Sequence, residues 1–326
     1  MSNFRSHESL LDCIGHTPMV RLNRVFAGHP AEVYAKLEFM NPSGSIKDRI
    51  ARYMIEQAER DGRLGPGYTI IENSSGNTAL ALAMVALQKG YKLKVVVRDR
   101  ASQEKLDQLR AMGVEVIMAD SSLPPEHPDS YNNITPRLAA ETPRCYFPDQ
   151  HGNRENNDAH YYSTGPEIWQ QMQGRIDYFV AGVGTGGTLG GVARYLKERD
   201  PRIKVVAIDG QGSVYTEYFR SRVPGRAGHQ LVEGLGDEFI LPTMDFDLVD
   251  EMLQVPDREA FREARAIAHT EGILVGPSSG GSIWGVRQIL ARSPERIRIC
   301  TIFADGASRY LTKMFNKSWL AEHGLV

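Results

Sequence analysis

The sequence predicts an α/β protein of two domains, each with a helix-covered, mostly parallel sheet. Three observations carry the prediction. Short β-branched runs alternate with longer helical patterns along the chain, and alternation of that kind builds parallel sheets covered by helices. The central strand runs are apolar throughout, as strands buried on both faces are. The 326 residues, 41% of them hydrophobic, supply one large or two ordinary domains with ample core material.

The elements follow in order. EVYAKLEFM (32–40) reads as the first strand, and DRIARYMIEQAERDG (48–62) as the first helix. TIIEN (69–73) leads to the helix TALALAMVALQKG, and KLKVVVRD (92–99) to SQEKLDQLRAMG. VEVIMAD (114–120) ends the first series. YFVAGV (178–183) leads to TLGGVARYLKERD, followed by the strand IKVVAIDG (203–210), the helix REAFREARAIAHTEG and the strand IRICTIFAD (297–305). In such folds ligands bind at the carboxyl ends of strands, where loops meet helix N-termini.

The stretch SSLPPEHPDSYNNITPR (121–137) is rich in proline and polar residues and reads as inter-domain. Domains 1–150 and 151–326 are therefore expected, with the first strands free to pack with the second domain. SRVPGRAGHQLVEGLGDEF (221–239) reads as a long surface or active-site loop.

Composition excludes several function classes. A net charge of −2 without long charged runs gives no electrostatic case for nucleic acid or an anionic membrane. Cys13, Cys145 and Cys300 are odd in number and lack metal-site or CxxC spacing, so a reducing compartment and no metal are expected. MSNFRSHESLLD has no apolar signal core, and no apolar run approaches the length that spans a bilayer. A cytoplasmic location is expected.

Four loops could carry chemistry. In NPSGSIKDR (41–49), Ser45 suits a helix cap and Asp48 the first turn. Lys47 stands out, because a cation is mildly unfavourable where a helix begins. Taken alone, the loop is explained by a solvated lysine. In ENSSGNTA (72–79), Ser74, Ser75, Asn77 and Thr78 offer a cradle for a carboxylate, and a capped turn explains them equally well. VGTGGTLGG (183–191) reads as a phosphate loop at a helix start. Its Gly184, Gly186 and Gly190, with Asp209 after the next strand, also imitate a dinucleotide fingerprint. Leu189 occupies the glycine position that fingerprint requires, whereas Thr185 and Thr188 offer hydroxyls suited to a phosphate monoester. GPSSGGS (276–282) places a hydroxyl before a helix, either as a cap or against a polar ring atom.

Taken together and in this order, the loops resemble those of the fold-type II, tryptophan synthase β-like pyridoxal phosphate enzymes. The nearest branch is the cysteine synthase and cystathionine β-synthase family. The likeness runs from IGHTPMVRLNR (14–24) almost to the C-terminus. NDAHY (157–161), VEGLGDEFILPTMD (232–245) and ASRYLTKMFNKSWL (307–320) are more similar to the cystathionine β-synthase catalytic core. The haem-binding extension and regulatory module found in some of those enzymes are not expected here.

The resemblance implies pyridoxal 5'-phosphate as cofactor, with Lys47 forming its Schiff base and Asn77 bonding the ring hydroxyl. It implies that Gly184, Thr185, Gly186, Gly187 and Thr188 hold the phosphate, and that Ser278 faces the pyridine nitrogen. A neutral hydroxyl there suits β-elimination. Ser74, Ser75, Thr78 and Gln150 are implied to hold the substrate α-carboxylate. The implied reaction is β-replacement in a homodimer: a serine- or cysteine-like amino acid loses a group from Cβ, and a small nucleophile adds there. Lys47 removes and returns the α-proton.

Three positions depart from the family pattern. Ser74 stands where threonine is usual, Ala79 where glycine is usual, and Asp237 where an aromatic or small residue is usual. Asp237 is either a solvated loop residue or a catalytic group facing the second substrate. Cysteine, cystathionine, lanthionine, serine with release of sulfide, and diaminopropionate-type products all stay open. Two other classes are a nicotinamide-dependent oxidoreductase using residues 183–209 and a catalytically silent binding relative.

Overall fold

The computed structural model describes residues 6–99, 101, 103–123 and 127–325. The start of MSNFRSHESLLD, Ser102 of the third helix pattern and residues 124–126 of the proline-rich stretch lie outside the described residues. The chain forms two compact units. One takes the residues up to Gly15 and Asn41–Glu155, and the other takes His16–Met40 and the chain from Asn156 onward.

Ten strands occur among the described residues: β1 Met19–Arg21, β2 Glu32–Leu37, β3 Thr69–Asn73, β4 Lys92–Arg98, β5 Glu115–Ala119, β6 Cys145–Tyr146, β7 Tyr178–Gly182, β8 Lys204–Gly210, β9 Glu251–Val255 and β10 Arg298–Phe303.

The first unit contains a parallel sheet in the order β5-β4-β3-β6. Its helices are α1 Lys47–Arg60, α2 Asn77–Lys89, α3 Gln103–Ala111 and α4 Tyr131–Glu141. Every residue of α2 from Thr78 to Ala86 is buried, because it packs against α1, α3 and β4. Its small alanines allow close approach on several sides. The helix α4 corrects the inter-domain reading of 121–137: it lies inside the first unit and packs on β3, β4 and β6. Pro136 within it and the full burial of Thr135 alone hide the helical period from the sequence.

The second unit contains a sheet in the order β1-β2-β10-β7-β8-β9, parallel except where β1 runs against β2. Here β10 is central, with Thr301 in register with both Ala35 and Val180. Its helices include α5 Glu155–Ala159, α6 Gly165–Gln171, α7 Gly187–Arg199, α8 Tyr215–Ser221, α9 Asp257–Glu271 and α10 Pro277–Leu290. A π-turn over His160–Thr164 joins α5 to α6. No helix among the described residues is long and apolar enough to cross a membrane.

Candidate active site

In the first unit, buried polar groups shape the loop before Lys47. Asp48 turns back: its carboxylate accepts from the Ser43 N–H at 2.7 Å and from the Ser43 hydroxyl. Asn41 Oδ1 accepts from the Gly15 N–H at 2.9 Å. Ser45 Oγ accepts the Lys47 N–H at 3.3 Å, while Ile46 occupies the helix N-cap position without a side-chain cap bond. Ser45 and Asp48 are both fully buried. The loop is therefore held from within, and Lys47 is the first residue of α1.

His151 lies within electrostatic reach of Lys47. Burial pushes its pKa down to about 4; the Asp149 charge opposes that shift, and Lys47 and Arg98 reinforce it. The imidazole is therefore neutral at neutral pH.

The loop after β3 is bound to the rest of the first unit through its hydroxyls. Ser74 Oγ accepts from the Gly76 and Ala79 N–H groups at 3.3 Å each, capping α2. Ser75 Oγ accepts from the Arg98 N–H at 2.9 Å, at the end of β4. Each hydroxyl thereby keeps its own proton to donate. Thr78 instead donates to Gln150 Oε1 at 2.6 Å, which fixes the orientation of that amide. Asn77 opens α2 beside them.

Glu72 joins these parts from below. Its carboxyl accepts from the Asn73 N–H at 2.9 Å and the Gln150 N–H at 3.3 Å. It is fully buried, and burial pushes its pKa up to about 8 against the pull of those donors.

In the second unit the strand–loop–helix from β7 to α7 forms an anion cradle. The N-cap of α7 is Gly186 at φ +86°, and the Gly187 N–H donates to Thr185 Oγ1 at 3.5 Å. Only from Gly190, bonded to the Gly186 carbonyl, do its N–H groups enter the helical pattern. At Gly187 a Cβ would stand 1.9 Å from Asn156 Oδ1, so a side chain there would displace Asn156. Asn156 Nδ2 donates to Thr185 Oγ1 at 3.0 Å, and His160 Nε2 lies 3.1 Å from Thr188 Oγ1. Orphan N–H groups, two hydroxyls and a helix N-terminus match what a phosphate monoester accepts.

A family profile described as "Pyridoxal-phosphate dependent enzyme" matches residues 10–305. The chain belongs to this family. Cystathionine beta-synthase of Apis mellifera is 40% identical over 319 residues, covering 97% of this chain and 63% of that protein. This chain thus spans less than two thirds of that relative. The O-acetylserine dependent cystathionine beta-synthase from Helicobacter pylori has a similar solved structure, with a TM-score of 0.87 and 36% identity over 95% of this chain and 99% of that one. A hydrogen sulfide-producing enzyme from Fusobacterium nucleatum is similar at a TM-score of 0.87 and 33% identity, with the same coverage.

Other details of this pyridoxal-phosphate enzyme bear on the sequence expectations. Asp209, the ribose-binding acid of the nicotinamide reading, is fully buried. Its carboxylate accepts from the Thr216 N–H and hydroxyl at 2.9 and 2.7 Å and from the Gly210 N–H at 2.9 Å, so it anchors α8. Burial pushes its pKa up. With the family assignment, this removes the dinucleotide alternative.

Ser278 lies half-buried in the first turn of α10, near β7, where its carbonyl would be 3.7 Å from a Cβ at Gly182. Gly236 donates its N–H to the Val183 carbonyl at 2.6 Å, which draws the 232–239 loop onto the phosphate loop. Asp237 is half-buried, and its Oδ1 accepts from the Glu238 and Phe239 N–H groups at 2.7 and 3.1 Å.

Glu72, His151, Asn156 and His160 are not among the residues that the sequence singles out. For His160 a signal exists, because it lies in NDAHY (157–161), a family-like stretch.

Proposed function

We propose that this protein catalyses β-replacement on a serine- or cysteine-like amino acid, of the cystathionine β-synthase or cysteine synthase type. The observation that carries the reading is Lys47, an amine opening a helix in a loop whose other polar groups are turned inward. Bound pyridoxal phosphate supplies the electron sink that makes the α-proton removable.

The residues divide the remaining work. Lys47 would hold the cofactor through its amine, and it is the base that would remove the α-proton and later return it. The helix N-terminus disfavours its charged form, as would loss of water. Asn77 bonds the ring hydroxyl. Ser74 and Ser75, with protons still free to donate, and Gln150, its amide oriented by Thr78, bind the α-carboxylate. Gly184, Thr185, Gly186, Gly187 and Thr188 hold the phosphate. Ser278 presents a neutral hydroxyl to the pyridine nitrogen. Asp237 acts on the incoming nucleophile. Residues 1–150 thus carry the amine and carboxylate donors, and 151–326 the phosphate loop and Ser278. A homodimer in the cytoplasm completes the reading.

Conversion of cysteine to serine with release of sulfide is a second reading, favoured by the likeness to the Fusobacterium nucleatum enzyme. The test is a screen of serine, O-acetylserine, O-phosphoserine and cysteine against water, hydrosulfide and thiols. It accompanies borohydride fixation of the cofactor and light scattering. A colourless protein with no fixation at Lys47 refutes the proposal, and products without a new bond at Cβ refute β-replacement.

A further inference from the structure

We propose that His160 is a positioning residue for the cofactor phosphate: its Nε2–H donates to Thr188 Oγ1, which turns the Thr188 hydroxyl proton toward the phosphate. The inference rests on the reading that the loop Gly184–Thr188 holds that phosphate.

His160 Nε2 lies 3.1 Å from Thr188 Oγ1, and its Nδ1 lies 2.8 Å from Thr164 Oγ1. A neutral imidazole has one donor and one acceptor, and a threonine hydroxyl has one proton to give. Two arrangements result. If Nδ1 carries the proton, Thr188 must donate to Nε2, and its oxygen then turns lone pairs toward the anion. If Nε2 carries the proton, Thr164 donates to Nδ1, Thr188 accepts from Nε2, and its proton is free for the phosphate. A phosphate dianion offers only acceptors, so it selects the second arrangement.

The other hydroxyl of the loop is built the same way. Thr185 Oγ1 accepts from Asn156 Nδ2 at 3.0 Å, so its proton too is free to point away from its backing group. Asn156 and His160 belong to one short segment packed behind the phosphate helix. At Gly191 a Cβ would stand 2.8 Å from His160 Cβ and 2.1 Å from the Asn157 carbonyl, so the contact between the segment and α7 is close. His160 and Thr164 are fully buried, which keeps water from competing for either ring nitrogen. They open and close the π-turn, an irregularity frequent at functional sites. A histidine that only filled space would be satisfied by either tautomer.

The experiment is 15N NMR of histidine-labelled holoenzyme, with the His160 signals identified by their loss in His160→Gln. Nε2 protonated is the expected result, and a bare Nε2 overturns the proposal. Cofactor affinity and the 31P shift of the bound phosphate are then measured in variants. A glutamine amide reaches roughly the Nε2 position and an asparagine amide that of Nδ1. His160→Gln should therefore stay close to wild type, and His160→Asn should bind the cofactor about 2–12-fold more weakly with a moved 31P signal. Thr188→Ala should weaken binding about 10–150-fold, as loss of a bond to a charged group does. If Thr188→Ala changes neither readout, the phosphate-loop reading itself fails. If Thr188→Ala weakens binding while His160→Asn matches wild type, only the role of His160 fails.

Discussion

Replacing Glu72 by Gln should change the slope of stability against pH more than its level. The carboxyl is fully buried at the end of β3, and its pKa is pushed from 4.5 to about 8 by burial, against the N–H donors of Asn73 and Gln150. The folded protein thus holds the proton until about pH 8, while the unfolded chain releases it near 4.5. Between those values the unfolded state binds fewer protons, so stability falls as pH rises, by about 1.4 kcal/mol per unit for one proton. Across the whole window the loss is roughly 5 kcal/mol. Below it the contribution is intact, and above it the loss is complete. Gln cannot titrate. Its NH2 group must face one of two backbone N–H groups, at a cost of about 1–3 kcal/mol at every pH. Glu72→Gln should therefore be the less stable form near pH 5 and gain on wild type steadily toward pH 8. Urea unfolding of both proteins across this range, at matched cofactor saturation, gives the difference curve. A difference that does not vary with pH would refute the reasoning, because the N–H donors would then outweigh burial and keep the group ionised.

His151 should behave with the opposite sign: with its pKa pushed down to about 4, it contributes stability that is lost as pH falls from about 6.5. His151→Phe should remove that acid-side slope, and an unchanged acid limb in urea unfolding would count against it. Lys47→Ala should abolish turnover and borohydride fixation yet shift stability by no more than about 0.5 kcal/mol, since the half-buried side chain opens a helix and fills no core. Ser278→Ala should keep the cofactor, alter its absorbance and slow elimination, whereas Thr185→Ala should weaken cofactor binding about 10–150-fold. The reverse pattern would mean the two roles are exchanged. Asp237→Asn keeps an oxygen for the Glu238 and Phe239 N–H groups, so the loop should survive. Nucleophile addition should slow by about 10²–10⁴-fold, and rates equal to wild type would reduce Asp237 to a turn residue.

Elements with a regular apolar pattern were legible in the sequence. The run TIIEN coincides with β3, and the helix patterns opening at Asp48, Thr78, Thr188 and Arg258 fall within a residue of the observed starts. Burial on both faces imposes near-uniform apolarity, as in β3 and α2, and burial of one face imposes a helical period, as in α1 and α9; neither needs knowledge of neighbours. Elements with little apolar signal of their own escaped notice. β9 is an edge strand of mixed burial, β6 has two residues, and α4 buries only Thr135. Their stability comes from partners remote in sequence, so their own residues carry little signal.

The same division holds among the candidate functional groups. By itself the sequence determined which loops follow which strands, and hence which hydroxyls, amines and glycines stand at helix starts. Tertiary structure alone decided where each of those groups spends its proton. Ser74 accepts two N–H groups of its own helix start, and Thr78 gives its proton to a glutamine 72 positions away. Asp209, placed like a ribose ligand, is consumed by α8. Local spacing limits what a side chain can reach along its own helix or turn. A hydroxyl or carboxylate has few bonding sites, and the distant elements that claim them are brought close only by folding.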